Sequence, residues 1–93
     1  MPSRTVAVAS ASGLHARPAA LFVKAAKAQP VAVTIQAGGK APVPAGSMLH
    51  VLALSAGHGA EVTIAAEGEG AEEALDALAA LLGTDLDATS GHD

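Results

Sequence analysis

Between residues 13 and 18 the chain reads Gly13-Leu14-His15-Ala16-Arg17-Pro18, and these side chains hold most of its capacity for chemistry. His15 carries a ring nitrogen that can act as a nucleophile. Arg17, two residues on, has a planar cationic fork suited to phosphate oxygens. Pro18 is compatible with a helix only in the first turn, where its missing N–H costs nothing, so a helix must open at His15 or Ala16. The first amides of that helix are unpaired and lie at the positive end of its dipole, a natural place for an anion. Gly13 lets the preceding loop take a conformation closed to other residues and leaves the site uncovered. A group that takes up a phosphoryl and later gives it away needs these properties together. The amides and Arg17 would offset the charge of about −2 on a phosphorylated imidazole, and few contacts would keep it from being trapped. A plain surface or capping histidine is the simpler account of the same position, and the residues alone leave both open.

The surrounding elements follow from hydrophobic spacing. Arg4 to Ala9 reads as a short strand with Val6 and Val8 on one face, followed by a polar stretch, Ser10 to Gly13. From Ala16 to Gln29 the period becomes helical, with Pro18, Leu21, Phe22, Ala25 and Ala26 on one stripe and Arg17, Lys24 and Lys27 off it; Pro30 ends it. Val31, Val33 and Ile35 alternate with polar or small residues as a half-buried strand. Gly38-Gly39 is a turn, and Lys40 to Val43 returns as a short strand whose prolines suit an edge. Ser47 is an N-cap for a helix from Met48 to Ser55. Ala60 to Glu67 is a strand carrying Val62 and Ile64, and Glu67-Gly68-Glu69-Gly70 breaks the chain. The last helix runs from Ala71 to Leu82, with Leu75, Leu78 and Leu82 in line, acids in its first half, and Gly83 at its end. Thr84 to Asp93 is aperiodic and reads as a loose tail. The order β-α-β-β-α-β-α fits an α+β domain of two layers, a mostly antiparallel sheet covered on one face by helices.

Size and composition narrow the function classes. A chain of 93 residues and 9.0 kDa forms one domain that buries about 63% of its unfolded surface, too little to enclose a sizeable substrate, so chemistry belongs on the surface. Five basic against nine acidic residues and a pI near 5.4 argue against a nucleic-acid partner. Alanine accounts for 24 positions and Phe22 is the single aromatic, so no base-stacking platform can be built. The absence of cysteine removes thiol nucleophiles, disulfides and cysteine-based zinc sites. No apolar run approaches a membrane span and no leader-like block opens the chain, so the cytoplasm is the expected location.

The run Gly13-Leu14-His15-Ala16-Arg17-Pro18-Ala19-Ala20 resembles the active-site signature of the histidine-containing phosphocarrier (HPr) family of the bacterial phosphoenolpyruvate-dependent sugar phosphotransferase system. The likeness extends over nearly the whole chain, including Ser47 at the second helix and the Glu67-Gly68-Glu69 turn before the last. It implies an open-faced β-sandwich, a four-stranded antiparallel sheet covered on one face by three helices. It also implies that His15 is phosphorylated on Nδ1 with help from Arg17, without cofactor or metal. Enzyme I would be the donor and the IIA component of sugar permeases the acceptor. By the same resemblance Lys24 and Lys27 pair with acidic partner residues, and Ala20, Met48, Leu49 and Leu52 form an apolar docking patch. As bare residues, the lysines would simply solubilise a face, and Met48 or Leu52 would serve the core. A shuttle that shows one face to successive partners is expected to be monomeric.

The resemblance also places Ser47 where a dedicated serine kinase acts in members of that family from some Gram-positive bacteria. The run recognised there often begins with Lys and continues with Met-Gly after the serine, and Ala45-Gly46-Ser47-Met48-Leu49-His50 keeps it only in part. Capping alone accounts for Ser47 as well. His50, facing solvent on the second helix, His58 and His92 have no metal-ligand spacing. Three rivals compete with the carrier. A paralogous regulatory phosphocarrier would keep the same histidine chemistry. An acylphosphatase-like hydrolase needs a carboxamide to position water, but the chain has no Asn, and Gln29 and Gln36 lie outside any plausible site. A purely structural adaptor would not need His15 at all.

Overall fold

The structure, a computed structural model, describes residues 2–9, 16–54, 57 and 59–84. Its elements run β1 (Ser3–Ala7), α1 (Ala16–Lys27), β2 (Val33–Ala37), β3 (Val43–Pro44), α2 (Met48–Ala53), β4 (Glu61–Ala66) and α3 (Ala71–Leu82). The strands form one antiparallel sheet in the order β1-β4-β2-β3. The last strand is thus central. Val62, Ile64 and Ala66 of β4 are buried and pair with Ala37, Ile35 and Val33 of β2, so apolar side chains meet across the ladder on one face. On the other face Thr5 and Thr63 join their hydroxyls at 3.1 Å in the open, and Thr34, Gln36 and Ala65 are half-buried. This is the open-faced sandwich that the sequence suggests.

Three helices cover the apolar face. Phe22 of α1 and Leu75, Leu78 and Leu82 of α3 are fully buried with Ile35, Ile64 and Val51. The open ends of α2 are tied off locally: Ser47 caps its start, and Lys40 Nζ, from the turn after β2, donates to the Leu54 carbonyl at 3.0 Å. Before α3 the chain turns sharply through Gly68 and Gly70, with φ of 109° and 88°, a backbone that L side chains rarely adopt. No helix is long and apolar enough to cross a membrane among the described residues.

Several sequence expectations shift. The buried stripe of α1 is Pro18, Ala19, Phe22, Val23 and Ala26; Leu21 is 41% exposed and Ala25 half-buried. Two stripes of this helix have the same period, and packing on the sheet selects the one carrying Val23. The helix stops at Lys27, two residues early, because Pro30 disfavours helical geometry before it; Gln29 folds back, its Nε2 donating to the Ala25 carbonyl at 3.1 Å. The first strand is Ser3–Ala7, shifted toward the N-terminus, and the second begins at Val33 with Val31 half-buried outside it. The third shrinks to Val43–Pro44, an edge whose proline needs no ladder donor. Helix α2 ends at Ala53, and Ser55 lies outside the described residues. Thr84 is still held by the last turn of α3, its hydroxyl donating to Ala80 O at 2.8 Å; residues 85–93 lie outside the described part.

Candidate functional site

The site is built on the opening of α1. Its first helical residue is Ala16, so Pro18 is the third and falls in the first turn, as its ring requires. Pro18 is buried, and it anchors this end of the helix against the core. Arg17 precedes it and is exposed. The first turn contains no acid, leaving the positive end of the dipole uncompensated by α1's own side chains. His15, the residue immediately before the helix, lies outside the described residues, as do Gly13 and Leu14.

Along α1, Arg17, Ala20, Leu21, Lys24 and Lys27 are all exposed. At about 100° per residue they occupy one side of the helix, opposite Phe22 and Ala26. Lys24 and Lys27 are also in the last turn, where cations offset the dipole's negative end, so they have a structural use besides any partner. On α2, Leu49 and Leu52 are 77% and 38% exposed, whereas Met48 is half-buried and packs against the core. The two helices pack together. The stem of Lys27 passes over Gly46, where an added Cβ would lie 3.2 Å from Lys27 Cγ. The α1 cations and the α2 leucines therefore belong to neighbouring elements.

Leu21 is the residue that sequence spacing missed. It sits four residues after Arg17 and three before Lys24, and that bracketing by cations is the signal that it faces outward. Ser47 is an N-cap as its sequence context indicates, with φ −111° and ψ 113° and its hydroxyl accepting from the His50 N–H. His50 is exposed; His58 and His92 lie outside the described residues.

An exposed Arg17 at the start of α1 and exposed apolar side chains on α1 and α2 thus lie on a domain too small to enclose a sizeable substrate. The family model described as the PTS HPr component phosphorylation site matches residues 2–84. The phosphocarrier protein HPr of Streptomyces coelicolor is 51% identical over 87 residues, covering 94% of each chain. Among solved structures, phosphocarrier protein HPr from Bacillus anthracis superposes with a TM-score of 0.83 at 43% identity, covering 87% of this chain and 95% of that one. HPr-C-His from Thermoanaerobacter tengcongensis gives 0.82 at 35% identity, covering 88% and 91%. The chain belongs to the HPr family and is a phosphoryl carrier of the phosphotransferase relay, not a classical turnover enzyme.

Proposed function

We propose that His15 is the residue that holds the phosphoryl group. Nδ1 attacks phosphorus on phosphorylated enzyme I, and the donor's bond to phosphorus breaks as the Nδ1–P bond forms. In a second transfer a nucleophile of a IIA domain attacks that phosphorus and the Nδ1–P bond breaks, freeing His15. The first amides of α1 and the Arg17 guanidinium offset the charge while it is held. The observation that carries this reading is that α1 opens at Ala16, directly after His15, with Arg17 exposed and no acid in the first turn. Such a site stabilises the phosphate through few contacts, which suits a group that must be surrendered.

Docking is assigned to Ala20, Lys24, Lys27, Met48, Leu49 and Leu52, with Leu21 added. Exposed Leu21, Leu49 and Leu52 with the cations of α1 fit brief contact with acidic-edged partners. Ser47 serves as the cap of α2, which accounts for it without a kinase.

The test is incubation with enzyme I and phosphoenolpyruvate. An acid-labile gain of one phosphate mapped to His15 is expected, and so is its transfer to a IIA domain. An adduct on another residue would overturn the assignment. Steady release of free phosphate without an acceptor would favour a hydrolase. For Ser47, an acid-stable adduct formed with ATP and cell extract would restore the regulatory role.

A further inference from the structure

By spacing alone, His50 is a solvent-facing histidine with no ligand pattern. In the fold its ring is engaged. Nδ1 lies 2.8 Å from Ser47 Oγ, while the usual cap bond, from the His50 backbone N–H to the same oxygen, is long at 3.5 Å. In a capping box, a Glu or Gln at this third helical position reaches back to the backbone N–H of the cap residue. Here that N–H already donates to the Pro44 carbonyl at 3.3 Å. The side chain at the third position meets the hydroxyl instead. A short hydrogen bond thus tethers an exposed imidazole beside Leu49.

We propose that His50 is a specificity-determining residue of the docking surface. Ser47 donates its hydroxyl proton to Nδ1, which selects the tautomer with its proton on Nε2. That Nε2–H is the free donor, offered to a carboxylate oxygen on the edge of a protein partner. The partner's chemistry follows from how charge is divided along the chain. No Asp or Glu precedes Glu61, and no Lys or Arg follows Lys40. Of the five cations, Arg4 is engaged by Asp76 and Glu72, and Lys40 by the Leu54 carbonyl. Arg17, Lys24 and Lys27 stand exposed on α1, and the Lys27 stem runs past Gly46, the residue before Ser47. These α1 cations complement an acidic rim on a partner, and Lys27 brings them to the start of the helix that carries His50. A loose histidine would lose rotamer freedom when a partner gripped it, whereas the tethered ring has already lost it. The inference rests on the carrier reading, because it concerns the same docking surface.

The experiment measures transfer kinetics from enzyme I with phosphoenolpyruvate, and separately the Kd for enzyme I by NMR titration, which needs no transfer. His50→Ala is expected to raise both KM and Kd about threefold to tenfold, with kcat within twofold. Ser47→Ala should raise them less and, combined with His50→Ala, add little, because the two act as one unit. Ser47→Thr, which keeps the hydroxyl and the cap, should behave as the parent. In alkaline buffer, ¹⁵N spectra should show Nδ1 unprotonated in the parent, with that preference lost in Ser47→Ala. Thermal melts establish that each variant is folded. An unchanged Kd in His50→Ala, additive effects in the pair, or a proton on Nδ1 of the neutral ring would each overturn the proposal. Failure of the parent to take up phosphate would sink the carrier reading instead, while the titration and spectra still judge the tether.

Discussion

Two helices of equal length, α1 and α3, cover the same sheet and are finished in opposite ways. Helix α3 carries Glu72 and Glu73 in its first turn, no basic residue in its last, and five buried residues along one stripe. Its positive end is offset by its own side chains, and its sequence is spent on the core. Helix α1 has no acid in its first turn, two lysines in its last, and an outward face of Arg17, Ala20, Leu21, Lys24 and Lys27. The positive end of α1 is therefore not offset by acids of its own first turn. Both helices bury five of their described residues, so the contrast lies in their ends and in the outward face of α1, where the proposed site would sit.

The largest effects should test that division directly. His15→Ala is expected to abolish phosphoryl uptake from enzyme I, with the thermal midpoint unchanged, as mass spectrometry and a melting curve would show. Leu78→Ala on α3 is expected to do the reverse. Leu78 is fully buried, and its truncation should cost about 2–5 kcal/mol in denaturant titration, while the folded fraction still accepts phosphate. A large loss of transfer per folded molecule would break the comparison.

How far the sequence foretold this arrangement depends on how many packings its pattern allowed. Helix α3 falls at Ala71–Leu82 as read, because Leu75, Leu78 and Leu82 keep to one face and glycines close both ends. The face of α1 was misjudged because Ala, Val and Leu satisfy two stripes; the sheet chooses between them, and no local rule names it. The third strand shortened because prolines limit how much ladder an edge can make. At the site, the motif was legible as a cluster of residue types, and Pro18 fixed where α1 begins. The bond between Ser47 and His50 was not legible, since it depends on Pro44 having taken the backbone donor first.

Smaller perturbations sharpen the role of α1. On the proposed reading, Arg17→Ala removes a charge-assisted partner of the phosphate and should slow transfer about tenfold to a hundredfold, with folding intact. Stopped-flow transfer from phosphorylated enzyme I measures it, and an unchanged rate would remove Arg17 from the mechanism. Leu21→Ser, on the same face, should raise KM about twofold to fivefold and leave kcat alone, since only part of a leucine's surface is withdrawn from water on docking. A drop in stability instead would return Leu21 to the core.

The smallest expected effect returns to α3. Glu72 lies in its first turn and is 3.6 Å from Arg4 Nη2, but its side chain is 73% exposed. Solvent screens both the ion pair and the dipole there, so Glu72→Gln should cost only about 0.3–1 kcal/mol, and less as salt rises. Arg4 also keeps Asp76, bonded from Nε at 3.1 Å, so the sheet edge is not released when Glu72 is neutralised. Urea titrations at low and high salt would measure the difference. Phosphoryl transfer should not change at all, because this acid serves a helix end that is already closed. A gain or loss of transfer in Glu72→Gln would mean that partners read the acidic helix too, and that the two helices do not divide their tasks as their ends suggest.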